Sequence, residues 1–169
     1  MGKVRVVVTD ANILINLIHT GYLSLLGELT DFSFVVPEEV VAEVLNPEQE
    51  EVLSEALGAG ILIQESITET AELELFAGFT SSLGKGESAC LAMAQQRGWL
   101  VASDEGGAFR REAEARLGTG RIINTPGLLL MAIRAGILSV EQADEAKEIL
   151  ERHRFRMRFR SFRELTGGF

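Results

Sequence analysis

Hydrophobic residues gather in short blocks along the chain rather than alternating with polar ones. "VRVVV" at 4–8, "FSFVV" at 32–36, "ILI" at 61–63, "WLVA" at 99–102 and "RII" at 121–123 are rich in β-branched side chains and lack an in/out rhythm. Runs of this kind are expected of strands buried on both faces of a parallel sheet. Between them the spacing is that of helices. Residues 13–19 and 22–29 form one pair, and 38–45 begins after Pro37. The stretch 47–58 opens with Asn46-Pro47, a capping residue followed by a first-turn proline. Further helices are predicted over 87–97, over 107–117 up to Gly118, and over 126–135 between Thr125 and Gly136. The last, 140–151, opens with Ser139 and Gln142 at capping-box spacing. Alternating strands and helices predict an α/β fold with a mainly parallel central sheet flanked by helices. No repeat or low-complexity linker interrupts it. Residues 1–151 are expected to form the body of one domain, with 152–169 as a basic arm or edge strand of that same domain.

In such sheets binding groups collect beyond the carboxyl ends of the strands, around the point where strand order reverses. Acids stand there repeatedly. Asp10 and Asn12 follow the first block, within "VVVTDANILINLI", and Ser103, Asp104 and Glu105 follow "WLVA". The helix after Pro37 carries Glu38, Glu39 and Glu43, and Glu87 starts the helix "ESACLAMAQQ". Singly, each has a plain structural reading. Asp10 and Asp104 suit helix caps, Asn12 suits a turn, and Glu87 suits a helix amino terminus for its dipole. In "PEEVVAEVL" the apolar stripe is Val40, Val41, Val44 and Leu45. Glu43 falls about 60° outside that stripe and can reach inward, whereas Glu39, about 100° away, is expected to face solvent. Gly84 and Gly86 are expected to let the chain bend tightly ahead of Glu87. Their spacing matches neither dinucleotide- nor Walker-type loops. Cys90, within a helix apolar nearly all round, reads as a small buried hydrophobe. Four acids at equivalent positions say more together than any one of them alone.

Composition narrows the classes. The 169 residues, 46% hydrophobic and 24% charged, are those of an ordinary globular domain. The amino terminus lacks a signal-peptide pattern, and the most apolar window, "GLLLMAIRAGIL", is broken by Arg134. One cysteine allows no internal disulfide, and the two histidines, His19 and His153, form no zinc-type cluster with it. A reducing, cytoplasmic setting without membrane attachment is therefore expected. Any metal would be a hard cation held by oxygen. The net charge of −9 is unevenly spread: residues 152–169 hold six arginines and one glutamate, about +5, which leaves about −14 on the rest.

These segments resemble the PIN-domain family, and in particular the VapC-type toxin ribonucleases. The resemblance runs through "VVVTDANILINLI", "VVPEEVVAEVL", "LGKGESACLAMAQQRGWLVASDEGGAFRREAEARLG" and "RIINTPGLLLMAIRAGILS", roughly residues 4 to 140. The stretch from 84 to 138 is similar to the nucleic-acid-binding branch of that family. By resemblance Asp10, Glu43, Glu87 and Asp104 form an acidic catalytic site, with Asp10 and Asp104 as main metal ligands and Glu43 and Glu87 direct or through water. Asn12 and Ser103 support it. The implied cofactor is Mg²⁺ or Mn²⁺, and the implied reaction is in-line hydrolysis of an RNA phosphodiester. An RNA substrate, an antitoxin protein and a homodimer are the implied partners. The chain departs from relatives at Gly106 and Gly107, where basic residues are common, and in its strongly basic tail.

Other readings stay open at this point. The fold could serve as a catalytically inactive RNA- or protein-binding module. A receiver-like phosphate acceptor at Asp10 is disfavoured, because position 12 is not an acid and no strand end carries a lysine. The segment "GLLLMAIRAGILSV" reads equally as a core helix or as a dimer face. In the tail, "RHRFRMRFRSFR", Arg154, Arg156, Arg158 and Arg160 alternate with Phe155, Met157 and Phe159. That period of two predicts an edge strand or extended arm with one basic face, which could contact RNA, receive an acidic antitoxin segment, or merely discourage aggregation.

Overall fold

A computed structural model describes residues 2–167. Five strands form one sheet: β1 (Arg5–Thr9), β2 (Phe32–Pro37), β3 (Ile63–Glu65), β4 (Leu100–Ala102) and β5 (Ile122–Ile123). Their order is β3-β2-β1-β4-β5, and every pair is parallel. Val7 lies opposite Phe34 and Val8 opposite Val101, so the unbroken valine runs fill the middle of the sheet. Val7, Val8, Val36 and Val101 are wholly buried, as strands covered on both faces require.

The helices are α1 (Ala11–Thr20), α2 (Leu25–Glu28), α3 (Glu38–Val41), α4 (Pro47–Gly58), α5 (Thr70–Phe79), α6 (Lys85–Arg97), α7 (Gly107–Leu117), α8 (Thr125–Arg134) and α9 (Val140–Arg152). Together these elements make the α/β architecture read from the chain. Helix α6 is buried through Ser88–Ala94; its small side chains let it lie close against the sheet. A second apolar cluster, around Leu129, Ala146, Leu150 and Phe162, lies beneath α8 and α9. In the segment 127–140, Leu128, Leu129, Ala132 and Leu138 are buried within the chain itself.

Three expectations are corrected. The helix predicted over 38–45 is a single turn that ends at Val41, so the angular bookkeeping beyond it does not hold and Leu45 is exposed. Helix α5 has no counterpart among the predicted helices, because its most buried side chain is an acid, Glu72, while Leu73 faces solvent. Glu72 is held by Arg97 of α6, which donates to both of its oxygens at 2.7 Å. Among its described residues the tail makes no strand: after α9, residues 155–161 run as an irregular segment into a 3-10 turn, Phe162–Glu164. Phe155, Met157 and Phe159 turn onto the second cluster, and Arg154, Arg156, Arg158 and Arg160 stay exposed. Burying those aromatics against α9 competes with edge pairing, and the two-residue β5 offers little edge to pair with.

Candidate functional site

Strand order reverses between β1 and β4, and their carboxyl ends open the crevice where a site is expected. Asp10 stands at the end of β1. Its N–H donates to the Ala102 carbonyl of β4 at 2.9 Å, and its carboxylate caps α1 by accepting from Ala11 N–H at 2.8 Å. The capping reading thus holds for Asp10, and the cap stands at the mouth of the crevice. Asp10 is 3% exposed. Burial pushes its carboxyl up to about 7 against the opposing Ala11 bond, and repulsion from Glu43, Glu87 and Glu105 adds to the rise.

Glu43 follows α3 and reaches the amino end of α6, where one of its oxygens accepts from Gly86 N–H at 2.9 Å. Gly86 is needed for close approach rather than for bending. A Cβ there would stand 2.6 Å from both Glu43 oxygens, and neither Gly84 nor Gly86 has a positive φ. Glu87 accepts from Gly84 N–H at 3.2 Å. Its carboxyl is raised by burial and by the nearby charges of Glu105 and Glu43. Beneath the crevice, burial pushes the Cys90 thiol well up, with the charge of Asp10 adding to it, so the thiol stays protonated and inert.

The turn after β4 divides its labour. The Asp104 carboxylate accepts from Thr125 N–H at 2.7 Å, from the Thr125 hydroxyl and from the Asn16 amide at 2.8 Å. That ties β4 to the first turn of α8 and to α1. Burial raises its carboxyl, opposed by those bonds. The charge of Glu105 is felt by Asp10, by Glu87 and by Asp104 alike. Asn12 joins the two halves of the turn, accepting from Asp104 N–H at 3.1 Å and donating to Glu105 at 2.8 Å. The Ser103 hydroxyl donates to Asp10 at 3.3 Å and accepts from Glu105 N–H at 3.1 Å.

Asp10, Glu43, Glu87 and Glu105 therefore load one crevice with negative charge, and Ser103 and Asn12 brace Asp10 and Glu105 respectively. Asn16 and Thr125, both buried, were not anticipated. Asn16 was detectable: it interrupts an apolar helix one turn after Asn12, on the same face. Glu39 does not face solvent as expected. It is half-buried, its Oε1 has no hydrogen-bond partner among the described residues, and burial raises its carboxyl. It lines a groove of about 580 Å³ with Glu38, Ala42, Glu43 and Lys85.

The basic tail begins elsewhere. His153, at the end of α9, stacks on His19 with ring centroids 3.6 Å apart. His19 belongs to the last turn of α1, so the root of the arm lies at the end of that helix opposite Asp10, about 15 Å along its axis.

A family model described as DUF3368, a PIN domain, matches residues 6–166. The chain belongs to the PIN-domain family. No curated protein matches it. PIN domains are typically nucleases and generally use divalent metals, which gives the crevice a coarse reading as a hydrolase site on nucleic acid. Its donors suit such an ion in kind, being carboxylate oxygens with an amide alongside, while the nearby Cys90 thiol is buried and stays protonated. The buried, mutually repelling charge around Asp10 is what a cation would neutralise. As placed, no three of the described His, Cys, Asp or Glu side chains close around a single point, so binding would draw the acids inward. No helix among the described residues is long and apolar enough to cross a membrane.

Proposed function

We propose that this PIN domain is a divalent-metal-dependent endoribonuclease that hydrolyses RNA phosphodiester bonds. The observation that carries the reading is the buried Asp10 carboxyl at the strand switch point, pushed up to about 7 by burial and by the nearby charges of Glu43, Glu87 and Glu105. Groups so perturbed, in a crevice and beside like charges, mark functional sites. Asp10, Glu43 and Glu87 would hold Mg²⁺ or Mn²⁺, with a fourth carboxylate from the turn after β4. There Glu105 is the freer acid, while Asp104 is engaged by Thr125 and Asn16. When bound, the ion would offset the crowded negative charge and stabilise charge developing on phosphoryl oxygens. The protein's own residues do the positioning. Ser103 fixes one oxygen of Asp10, Ala11 N–H fixes the other, and Asn12 holds Glu105 in reach. Gly86 gives Glu43 its place.

The proposal extends to a toxin–antitoxin setting in the cytoplasm, with an antitoxin protein and a homodimer as partners; the resemblance to VapC-type toxins supports it, and a short reading frame directly upstream would add to it. We also read residues 152–169 as part of the same domain, supported by the full burial of Phe162 in the second cluster. The deciding experiment is cleavage of RNA in Mn²⁺. Activity that disappears on chelation and in Asp10→Asn supports the nuclease. RNA binding without cleavage in any divalent ion would favour an inactive binding module instead.

A further inference from the structure

At the end of the sheet opposite Asp10 lies a second polar pocket, of about 360 Å³, lined by Lys3, Arg5, Arg97, Trp99 and Arg121 among others. Arg5 opens β1, Trp99 precedes β4 and Arg121 precedes β5, so parallel strands bring their basic starts to one edge. Arg97 is already committed. It pairs with Glu72 at 2.7 Å and Glu65 at 3.2 Å, and its guanidinium lies 4.8 Å from the centre of the Trp99 ring. The other three cations are not: among the described residues, Lys3, Arg5 and Arg121 form no ion pair. Arg121 donates one terminal N–H to the Trp99 carbonyl at 3.1 Å, and its Nε is buried with no acceptor.

That arrangement asks for an anion. A chain of net charge −9 has acids in excess, yet none pairs with these three cations. Like charges sharing one pocket within a screening length repel, and an orphaned guanidinium N–H is unfavourable until an oxygen reaches it. An ammonium beside two guanidinium groups matches the oxygens of a phosphate. The volume suits a phosphate carried on something of nucleotide size. We propose that this pocket binds a phosphate group, supplied either by a free mononucleotide or by the end of an RNA strand, at a site separate from the acidic crevice.

Trp99 is the chain's single tryptophan, and its emission reports on the pocket directly. Inorganic phosphate, adenosine monophosphate and a short oligoribonucleotide with or without a 5′-phosphate would be titrated into Asp10→Asn protein at constant ionic strength. The proposal expects saturable changes in Trp99 emission. Saturation by phosphate and mononucleotide, with no preference between the oligonucleotides, identifies a free ligand; a preference for the 5′-phosphorylated strand identifies an RNA end. Lys3→Gln with Arg5→Gln, both at exposed positions, should weaken binding about tenfold or more, and Arg121→Lys should weaken it while keeping the charge. No saturable change with any of the four probes at millimolar concentration overturns the proposal. So does binding that is unchanged in both variants. Because the assay uses Asp10→Asn, its outcome does not depend on whether the crevice cleaves RNA.

Discussion

Gly86 and Glu43 occupy one space: the carboxylate of Glu43 accepts from Gly86 N–H at 2.9 Å, at a point where a Cβ would come within 2.6 Å of both its oxygens. The hydrogen bond joins the segment after α3 to the start of α6, and it needs glycine for room rather than for backbone freedom. Gly86→Ala should therefore disturb the site more than the fold. The clash falls on the far end of a flexible side chain, and alanine is the better helix former by about 0.5–1 kcal/mol. Thermal stability is expected to stay within about 1 kcal/mol of wild type. Displacing Glu43 by an ångström or so should lower nuclease activity about a hundredfold. Wild-type turnover in a folded Gly86→Ala protein would remove Glu43 from the site.

Asp10 makes the metal-free protein sensitive to pH in an unusual sense. Its carboxyl sits at about 7 when folded, against an ordinary 3.8, so between those values the folded state keeps a proton that the unfolded chain has released. Stability must then fall as pH rises from about 4 to about 7, by on the order of 4 kcal/mol at most. Glu87 and Asp104 are raised as well and act in the same direction. Asp10→Asn should flatten most of this slope and melt higher than wild type at pH 7.5 without metal. Mg²⁺ or Mn²⁺ should raise the wild-type melting temperature and leave the variant nearly unchanged. Melting curves that rise with pH over this range would contradict the burial of Asp10.

Asp104 and Glu105, adjacent in sequence, should separate by experiment. Asp104→Ala leaves Thr125 N–H, the Thr125 hydroxyl and the Asn16 amide without their acceptor, at about 1–3 kcal/mol for each buried donor that water does not reach. A marked drop in melting temperature is expected. Glu105→Gln should unfold within about 0.5 kcal/mol of wild type and weaken metal binding, read by calorimetry with Mn²⁺. The division of roles fails if Asp104→Ala is as stable as wild type while metal affinity is untouched in Glu105→Gln.

Much of this architecture was legible because buried parallel strands write themselves as unbroken valine and isoleucine runs, and because Asn46-Pro47 and Ser139-Gln142 mark helix starts at short range. Asp10 and Asp104 were legible by position just past a strand and Glu87 at a helix start, whereas Glu43 lies beyond the single turn of α3. What escaped depended on contacts between distant segments. The buried face of α5 sets an acid, Glu72, beside Phe79, which is tolerable because Arg97 meets the acid from α6, 25 residues on. The helix after Pro37 stops after one turn, so no periodicity could place Glu39 or Leu45. That Asp104 is engaged while Glu105 is freer depends on Thr125 and Asn16, side chains that a linear reading passes over.

The tail's alternation has a visible cause: Phe155, Met157 and Phe159 pack inward, Phe159 meets Phe162 edge-to-face at 4.9 Å, and four arginines are left outside. None of Arg154, Arg156, Arg158 and Arg160 forms an ion pair among the described residues. The arm begins at the end of α1 remote from Asp10, so its charge would act on RNA phosphates beyond the scissile bond rather than on that bond itself. Changing Arg156, Arg158 and Arg160 to Gln keeps the apolar anchors and should leave melting temperature and Mn²⁺ affinity unchanged. RNA affinity should fall, and the slope of log K against log salt should flatten by up to about two units for single strands, at roughly 0.7 for each phosphate no longer neutralised. Filter binding of Asp10→Asn protein across a salt series measures both. If affinity and slope hold while binding of a co-expressed antitoxin collapses, the arginine row serves the partner; if none of the three moves, the row only keeps an exposed apolar segment from self-association.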